Sequence, residues 1–537
     1  MKLTNDGIAD RAAWEAKGYA LPTFDRDTVA AATKKSPFWV HFGAGNLFRA
    51  FPAQLVQGLL NKGLLDRGII AVSGHNYETI DTLYKPHDNL SIIVTLKSNG
   101  TVQKTVVGSV MEALAAEPQR QDDWEQLSAL FRSPSLQMAT FTITEKTYTV
   151  ESNEADFAEG PSKPRSYMGK LAALLYERCL AGSLPLAMVS MDNCSHNSDR
   201  LYAAVRKYAQ EWESRGLCDR GFLAYIDDKS RLSFPWTMTD KITPRPDAAI
   251  RKLLEQDGIE GLEDSGTEKT ACTAPFVNAE ECQYLVIEDA FPNGRPPLEK
   301  AGVFFTDRST VDKVEKMKVC TCLNPLHTFL ALSGCLLGYT RIADEMKDAD
   351  LLTLVKKLGY EEGLPVVADP KIINPRTFID EVVNIRIPNP FMPDTPQRIA
   401  CDCSQKIPIR FGETVKGYLE RSDLDCTKLR VIPFVFALWL RYLLAIDDEG
   451  RHFEPSPDPL LKSMRASLAG IQLGNTDAQS VRSREDAIAP LLHRAELFGA
   501  DLYEAGLAEK VCAYFTQLCA GTGAVRTLLH KLSTGEA

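Results

Sequence analysis

Apolar residues follow two rhythms along this chain. Up to about residue 300 they fall in short runs closed by glycine, asparagine or charge. These runs are PFWVHFGAG (37–45), GIIAVSG (68–74), QMATFTITEK (137–146), LPLAMVSMDN (184–193) and CQYLVIED (282–289). Each has the length and composition of a strand. Between them, FRAFPAQLVQGLLNKG (48–63) and NSDRLYAAVRKYAQEWESRG (197–216) place apolar residues three or four apart, which is helical spacing. Strands interleaved with helices predict an α/β domain with a mainly parallel sheet.

From about residue 310 the second rhythm takes over. HTFLALSGCLLGYTRIADEM, LLTLVKKLGYEEG, RTFIDEVVNIRI, VIPFVFALWLRYLLAID and AEKVCAYFTQLCAGTG carry helical periodicity and few strand signals. The proline-containing stretch GRPPLEKAGVFFTD (294–307) is the natural crossing point. The division expected is an α/β domain over 1–309 and a mostly α-helical domain over 310–537. ERSDLDCTK (420–428) and DDEGRHFEPSPDP (447–459) read as surface loops. The longest apolar run, Ile432 to Ile446, is too short to span a bilayer and contains Arg441, so it reads as a buried helix.

Composition narrows the function classes. With 44% hydrophobic and 25% charged residues, the 537-residue chain is ordinary for a globular protein. A net charge of -10 speaks against general nucleic-acid binding, which needs a basic face, but leaves a small anionic substrate open. MKLTNDGIADRAAWEAKGY has too much charge for a signal peptide, and no membrane partner is expected. Thirteen cysteines without a repeating framework suggest reduced thiols in the cytoplasm. The C-x-C pairs Cys320/Cys322 and Cys401/Cys403 have the wrong spacing for zinc and read as core cysteines, so no metal is expected.

Several stretches could carry chemistry. HFGAGNLFRA (41–50) puts Gly43 and Gly45 between a strand and a helix, the context of a dinucleotide-binding turn. Two of the three fingerprint glycines are present, and a plain tight turn is the alternative. The second strand ends Gly74-His75-Asn76 with neither an acidic residue nor a cation. That leaves NADP open and leans to NAD. MVSMDNCSHN (188–197) brings Asp192, Asn193, His196 and Asn197 to the carboxyl end of a strand, where α/β proteins bind ligands. A helix cap would account for one or two of them. FPWTMTDKITPRP (234–246), with Asp240 and Lys241, reads as a loop; NPFMPDTPQRIACDCSQKIPIRF adds Arg398 and Lys406. In KVCTCLNPLH (318–327), a regular helix of roughly 100° per residue sets Asn324 and His327 about 60° apart but Lys318 about 180° from His327.

Taken together these residues resemble the long-chain polyol dehydrogenase (mannitol dehydrogenase) family, over nearly the whole chain and in order. HFGAGNLFRA resembles the family's cofactor turn, FTITEKTY its T-E-K-G-Y strand end, and SMDNCSHN its C-D-N motif. FPWTMTDKITP is similar to F-x-x-x-M-x-D-R-I-T-P, and VIEDAFPNGRPPLEKAG to I-E-D-x-F-x-x-G-R-P. EKMKVCTCLNPLH matches the K-x-x-x-x-N-x-x-H helix, and DTPQRIACDCSQKIP the polyol-binding segment.

The resemblance implies a Rossmann-like N-terminal domain, a helical C-terminal domain and metal-free hydride transfer with NAD or NADP. Lys318 would be the general acid/base, Asn193 and Asn324 would hold the reacting oxygen, and Glu315 would help move the proton. Asp240, His327, Arg398 and Lys406 would hold other substrate groups. Gly43, Ala44, Gly45, Asn46, Leu47, Arg49, Glu145 and Asp192 would hold the cofactor. The implied substrate is a small sugar acid or polyol, with the D-fructuronate/D-mannonate pair favoured over mannitol or tagaturonate chemistry, and the implied assembly a monomer or small homo-oligomer. Two amide donors aimed at an oxygen that gains negative charge stabilise it by about 3 kcal/mol each.

Departures remain. Lys318 to Asn324 is six residues where the family has five, Phe48 stands where histidine is usual, and Thr147 replaces the T-E-K-G-Y glycine. One residue absorbed as a π-bulge would return Lys318 to about 80° from His327, and Pro325 already weakens the helix there. A dinucleotide-binding sensor or regulator that has lost catalysis is the rival expectation, with the irregular lysine spacing the one feature in its favour.

Overall fold

The computed structural model describes residues 1–150, 154–262 and 274–536. They form two compact units, one of residues 1–97 and 101–312, the other of 98–100 and 313–537.

The first unit is built on six strands: β1 (Trp39–Phe42), β2 (Ile69–Ser73), β3 (Val110–Ala115), β4 (Met138–Phe141), β5 (Leu186–Ser190) and β6 (Leu232–Ser233). Their spatial order is β3-β2-β1-β4-β5-β6, and every pairing is parallel. This is the doubly wound dinucleotide-binding topology, with its reversal between β1 and β4. Strand alternation splits the apolar residues between two layers. Val40, Phe42, Ile70, Val72, Ala139 and Phe141 share a core with apolar residues of three helices. Trp39, Ala71, Met138, Ala187 and Val189 share the other with the opposite helical layer. On that second side lie α1 (Asn46–Ala50) and α2 (Pro52–Asn61); on the first lie α3 (Gln121–Arg132), α4 (Tyr167–Leu180) and α5 (Asn197–Ser214).

Five strands stand where the apolar runs put them. The sequence reading missed β3 and β6, and also the hairpin Ser91–Leu96/Val102–Val107. It also took 234–246 for a loop, whereas Thr237–Asp240 is a strand paired antiparallel with Tyr284–Glu288. The prolines flanking that stretch hide a four-residue strand whose residues are all buried.

The second unit is helical. It contains α7 (Asn324–Leu337), α8 (Ile342–Glu345), α9 (Pro396–Ile399), α10 (Cys403–Arg410), α11 (Val431–Tyr442) and α12 (Ala508–Leu518). All twelve residues of α11 are buried, and Phe434 meets Phe329 of α7 and Tyr514 of α12 edge to face. The start of α11 is satisfied from within the core. Glu362 accepts the N–H groups of Arg430, Val431 and Ile432 at 2.6, 2.7 and 2.8 Å. Arg441 donates to the carbonyls of Leu518, Ile446 and Asp447. A negative group at a helix start and a positive one at its end are what the helix dipole favours.

Ahead of α7 run α6 (Arg308–Lys316) and a π-helical segment, Met317–Cys322. By length and composition the run 308–337 could cross a membrane. Yet 72% of its most apolar window is buried inside the protein, as in a core helix.

Candidate functional site

In the first unit, the carboxyl ends of β1, β2, β4 and β5 surround a cavity of about 480 Å³. Its lining begins with Gly43, Ala44, Gly45, Asn46 and Leu47 after β1, then Ser73, Gly74, His75 and Asn76 after β2. Thr142 to Thr144 and Asp192 complete the strand-end set, with Tyr167 behind.

The turn after β1 demands its glycines for different reasons. Gly43 has φ +118°, and a Cβ there would lie 2.3 Å from the carbonyl oxygen of Thr142. Gly45 caps α1, and a Cβ on it would meet nothing within 4 Å. Among the described residues no atom requires a glycine at 45, so the bare backbone is left for a ligand to approach, as a pyrophosphate does in this topology. Gly74 is needed for a third reason: Tyr167 would lie 2.0 Å from an added Cβ. These features fit a dinucleotide. Among the lining residues none is lysine or arginine. His75 has its charged form disfavoured by burial and then by Lys170. A 2′-phosphate therefore finds no cation in this lining.

Asp192 organises the neighbouring turn. Its carboxylate accepts the N–H groups of Ile143 at 2.9 Å and Thr144 at 3.0 Å, and the Tyr148 hydroxyl at 2.6 Å. Those bonds hold Thr144 at φ +76°, a conformation threonine rarely adopts. Burial raises the Asp192 pKa, and these donors pull against it. Arg49 is buried and does not line the cavity. It donates to the Asn46 side chain at 2.8 Å and the Ala274 carbonyl at 2.9 Å, bracing the turn from behind. Glu145 also stands outside the lining, exposed and paired with Arg200 at 2.9 Å. Phe48, at the position where histidine was the family norm, stacks on His41 with centroids 4.1 Å apart. His41 is fully buried between Thr140 and Thr142, and burial pushes its pKa down to about 3.

Asn193 follows Asp192 and is exposed. Asp240 ends its strand buried at 4% exposure. Of the other residues flagged on this loop, His196 stacks on Trp236, with centroids 4.2 Å apart. Asn197 bonds to the Asp192 carbonyl and to Thr237. His196 is the N-cap residue of α5 but its side chain makes no capping hydrogen bond.

The second unit answers the question of spacing around Lys318. Met317–Cys322 is a π-helix, and Leu323 N–H donates to the Lys318 carbonyl five residues back at 3.1 Å. Leu323 then breaks the geometry with φ -126° and ψ -62°, and α7 starts afresh at Asn324. Pro325 occupies the first turn of the new helix, where its missing N–H costs nothing. Lys318 is 4% exposed. Glu315, one turn earlier on α6, is half-buried.

Around His327 the same unit gathers cations. Burial, then Arg410, Arg398, Arg386 and Lys406, push His327 down to about 3. Its 3.7 Å approach to Asp394 is therefore a contact of a neutral imidazole and not an ion pair. Arg398 is mostly exposed and paired with Asp394. Lys406 donates to the carbonyls of Cys401 and Ile399, and burial and Arg410 lower its pKa. Sequence reasoning missed Arg386, Arg410 and Asp394. Arg410 was visible as the residue four beyond Lys406, on one face of a helix.

The Rossmann-domain model of mannitol dehydrogenase matches residues 38–300, and the mannitol dehydrogenase C-terminal-domain model matches 310–519. A D-mannonate oxidoreductase of Thermotoga maritima is 52% identical, covering 99% of each chain. The Polyol:NADP oxidoreductase of Gluconobacter oxydans is 29% identical over 83% of this chain and 87% of the relative. Among solved structures, Pseudomonas fluorescens mannitol 2-dehydrogenase in ternary complex with NAD and D-mannitol superposes with a TM-score of 0.68. It is 26% identical over 99% of this chain and all of the other. A substrate-free D-sorbitol dehydrogenase gives 0.74 at 26% identity, over 92% and 94% of the two chains.

Proposed function

Because this chain belongs to the mannitol dehydrogenase family, we propose that it is an NAD-dependent oxidoreductase interconverting D-fructuronate and D-mannonate. The observation that carries the substrate is the 52% identity to a D-mannonate oxidoreductase across 99% of both chains. NAD is favoured over NADP because the lining of the first unit's cavity carries no lysine or arginine. Bound there against Gly43, Gly45 and Asn46, the nicotinamide cofactor supplies the hydride for ketone reduction and takes it back in alcohol oxidation.

The chain's own residues do the rest. When the ketone oxygen becomes a hydroxyl it needs one proton, which Lys318 gives and in the reverse direction removes. The side-chain amides of Asn193 and Asn324 donate to that oxygen as charge develops on it. Glu315, one helical turn before Lys318, passes the proton onward. Asp240, neutral His327, Arg398 and Lys406 bind other groups of the substrate. The π segment accounts for the six-residue spacing, so the one feature that favoured a non-catalytic sensor no longer does. The reading puts the enzyme in the cytoplasm, in keeping with the free thiols among the described residues.

The deciding experiment follows NADH and NADPH oxidation with D-fructuronate, D-tagaturonate and D-fructose. Fastest turnover of NADH with D-fructuronate, lost in Lys318→Ala, is expected. Nucleotide binding without turnover of any of the three would refute the assignment.

A further inference from the structure

The cations around His327 are more than a neutral polyol calls for. On α10, Lys406 and Arg410 stand four residues apart, so their charges share a face and repel. Burial lowers Arg410 to about 10, and burial together with Arg410 lowers Lys406. The other cations are engaged. Arg398 pairs with Asp394, and the Lys406 ammonium donates to two backbone carbonyls. Arg410 differs. Its Nη1 donates to the hydroxyl of Thr328, the fully buried neighbour of His327 on α7. No carboxylate among the described residues acts on it. Arg410 is half-buried, and one end of its planar fork is anchored on Thr328. Holding a half-desolvated guanidinium beside a second cation is costly unless an anion completes the site. A carboxylate fits that fork with two parallel hydrogen bonds.

We propose that Arg410, oriented by Thr328, binds the carboxylate of the substrate and selects sugar acids over uncharged ketoses and polyols. This rests on the function proposed above and adds a specificity-determining residue to it.

The test compares kcat/KM for D-fructuronate and D-fructose in the wild type, Arg410→Leu, Arg410→Lys and Thr328→Val. Loss of a charge-assisted contact predicts that the fructuronate-to-fructose ratio falls about 100-fold in Arg410→Leu. Arg410→Lys, which keeps the charge and loses the fork, is expected to fall about tenfold. Thr328→Val is expected to fall in the same direction by less. Should Arg410→Leu fail to fold, the lysine variant carries the test. Ratios within about threefold of wild type, with both substrates slowed alike, would overturn the proposal and leave Arg410 a packing residue. A wild type that turns over no ketouronate would overturn the function itself, and this inference with it.

Discussion

Deleting Val319 tests whether the π segment is a device for aiming Lys318. The present chain puts His327 nine residues after Lys318, and in a regular helix those nine steps of roughly 100° leave the two about 180° apart. The π-helix over Met317–Cys322 absorbs the surplus residue. With Val319 removed, eight regular steps leave about 80°, the same face, and the flanking helices need not move. Val319 is only half-buried, whereas Thr321 packs on Gly363 and Cys322 donates to the Pro375 carbonyl, so the deletion spares those contacts. The deleted variant is therefore expected to keep kcat/KM within about tenfold of wild type. Lys318→Ala loses its proton-transfer group and is expected to fall roughly 10²- to 10⁴-fold. Inserting one alanine after Val319 adds a residue the π segment has already spent its slack on, and should cost as much as Lys318→Ala. Initial-rate NADH oxidation with D-fructuronate, on samples with matched circular dichroism, separates these cases. A well-folded deletion variant as inactive as Lys318→Ala would refute the reasoning, because the π geometry itself would then be required.

Other perturbations act on single features. Glu345 is fully buried with neither carboxylate oxygen hydrogen-bonded, and burial, then Asp348, raises its pKa well above the ordinary value. Glu345→Met is expected to raise unfolding free energy at pH 8 by roughly 1–3 kcal/mol. A raised folded pKa disfavours folding above the unfolded value of about 4.5, so the gain should shrink as pH falls toward it; urea melts at both pH values check this. Gly43→Ala should destabilise the first unit by more than about 2 kcal/mol, since φ +118° and the Thr142 carbonyl both oppose a side chain. Gly45→Ala should leave the melting temperature nearly unchanged and weaken NADH binding at least tenfold, as read by fluorescence titration. His327, lowered from 6.5 to about 3, contributes stability above pH 6.5 that is lost as pH falls toward 3. His327→Gln should flatten that acid loss in a thermal-melt series, and an unchanged slope would remove His327 as its source.

The sequence disclosed the parts of this molecule that repeat. Mainly apolar runs located β1, β2, β4 and β5 because these strands are covered on both faces and buried at every position. β3 was hidden by Glu112 and the short β6 by its length, since only their pairing partners make them strands. The cofactor turn was legible from Gly43 and Gly45, yet the supporting residues were not. Tyr148, which reaches Asp192, and Tyr167, which crowds Gly74, come from segments remote in sequence. Arg49 entered as a cofactor residue through the family resemblance, and in the structure it donates to Asn46 and to the Ala274 carbonyl. In the helical unit, spacing alone disclosed the strain at Lys318. The ring of cations about His327 required tertiary structure, because Arg386, Asp394 and Arg410 sit on three different segments.

The cap that Glu362 places on α11 carries a consequence for how the second unit assembles. The N–H groups it satisfies lie 68 to 70 positions downstream, so the most apolar helix of the unit cannot finish its first turn until a distant segment has docked. Neither partner is self-sufficient: the carboxylate is buried without the amides, and the amides are orphaned without the carboxylate. Docking of these two segments is thus an all-or-none commitment, and a chain cut in the 420–428 loop should hold together as a nicked but folded pair.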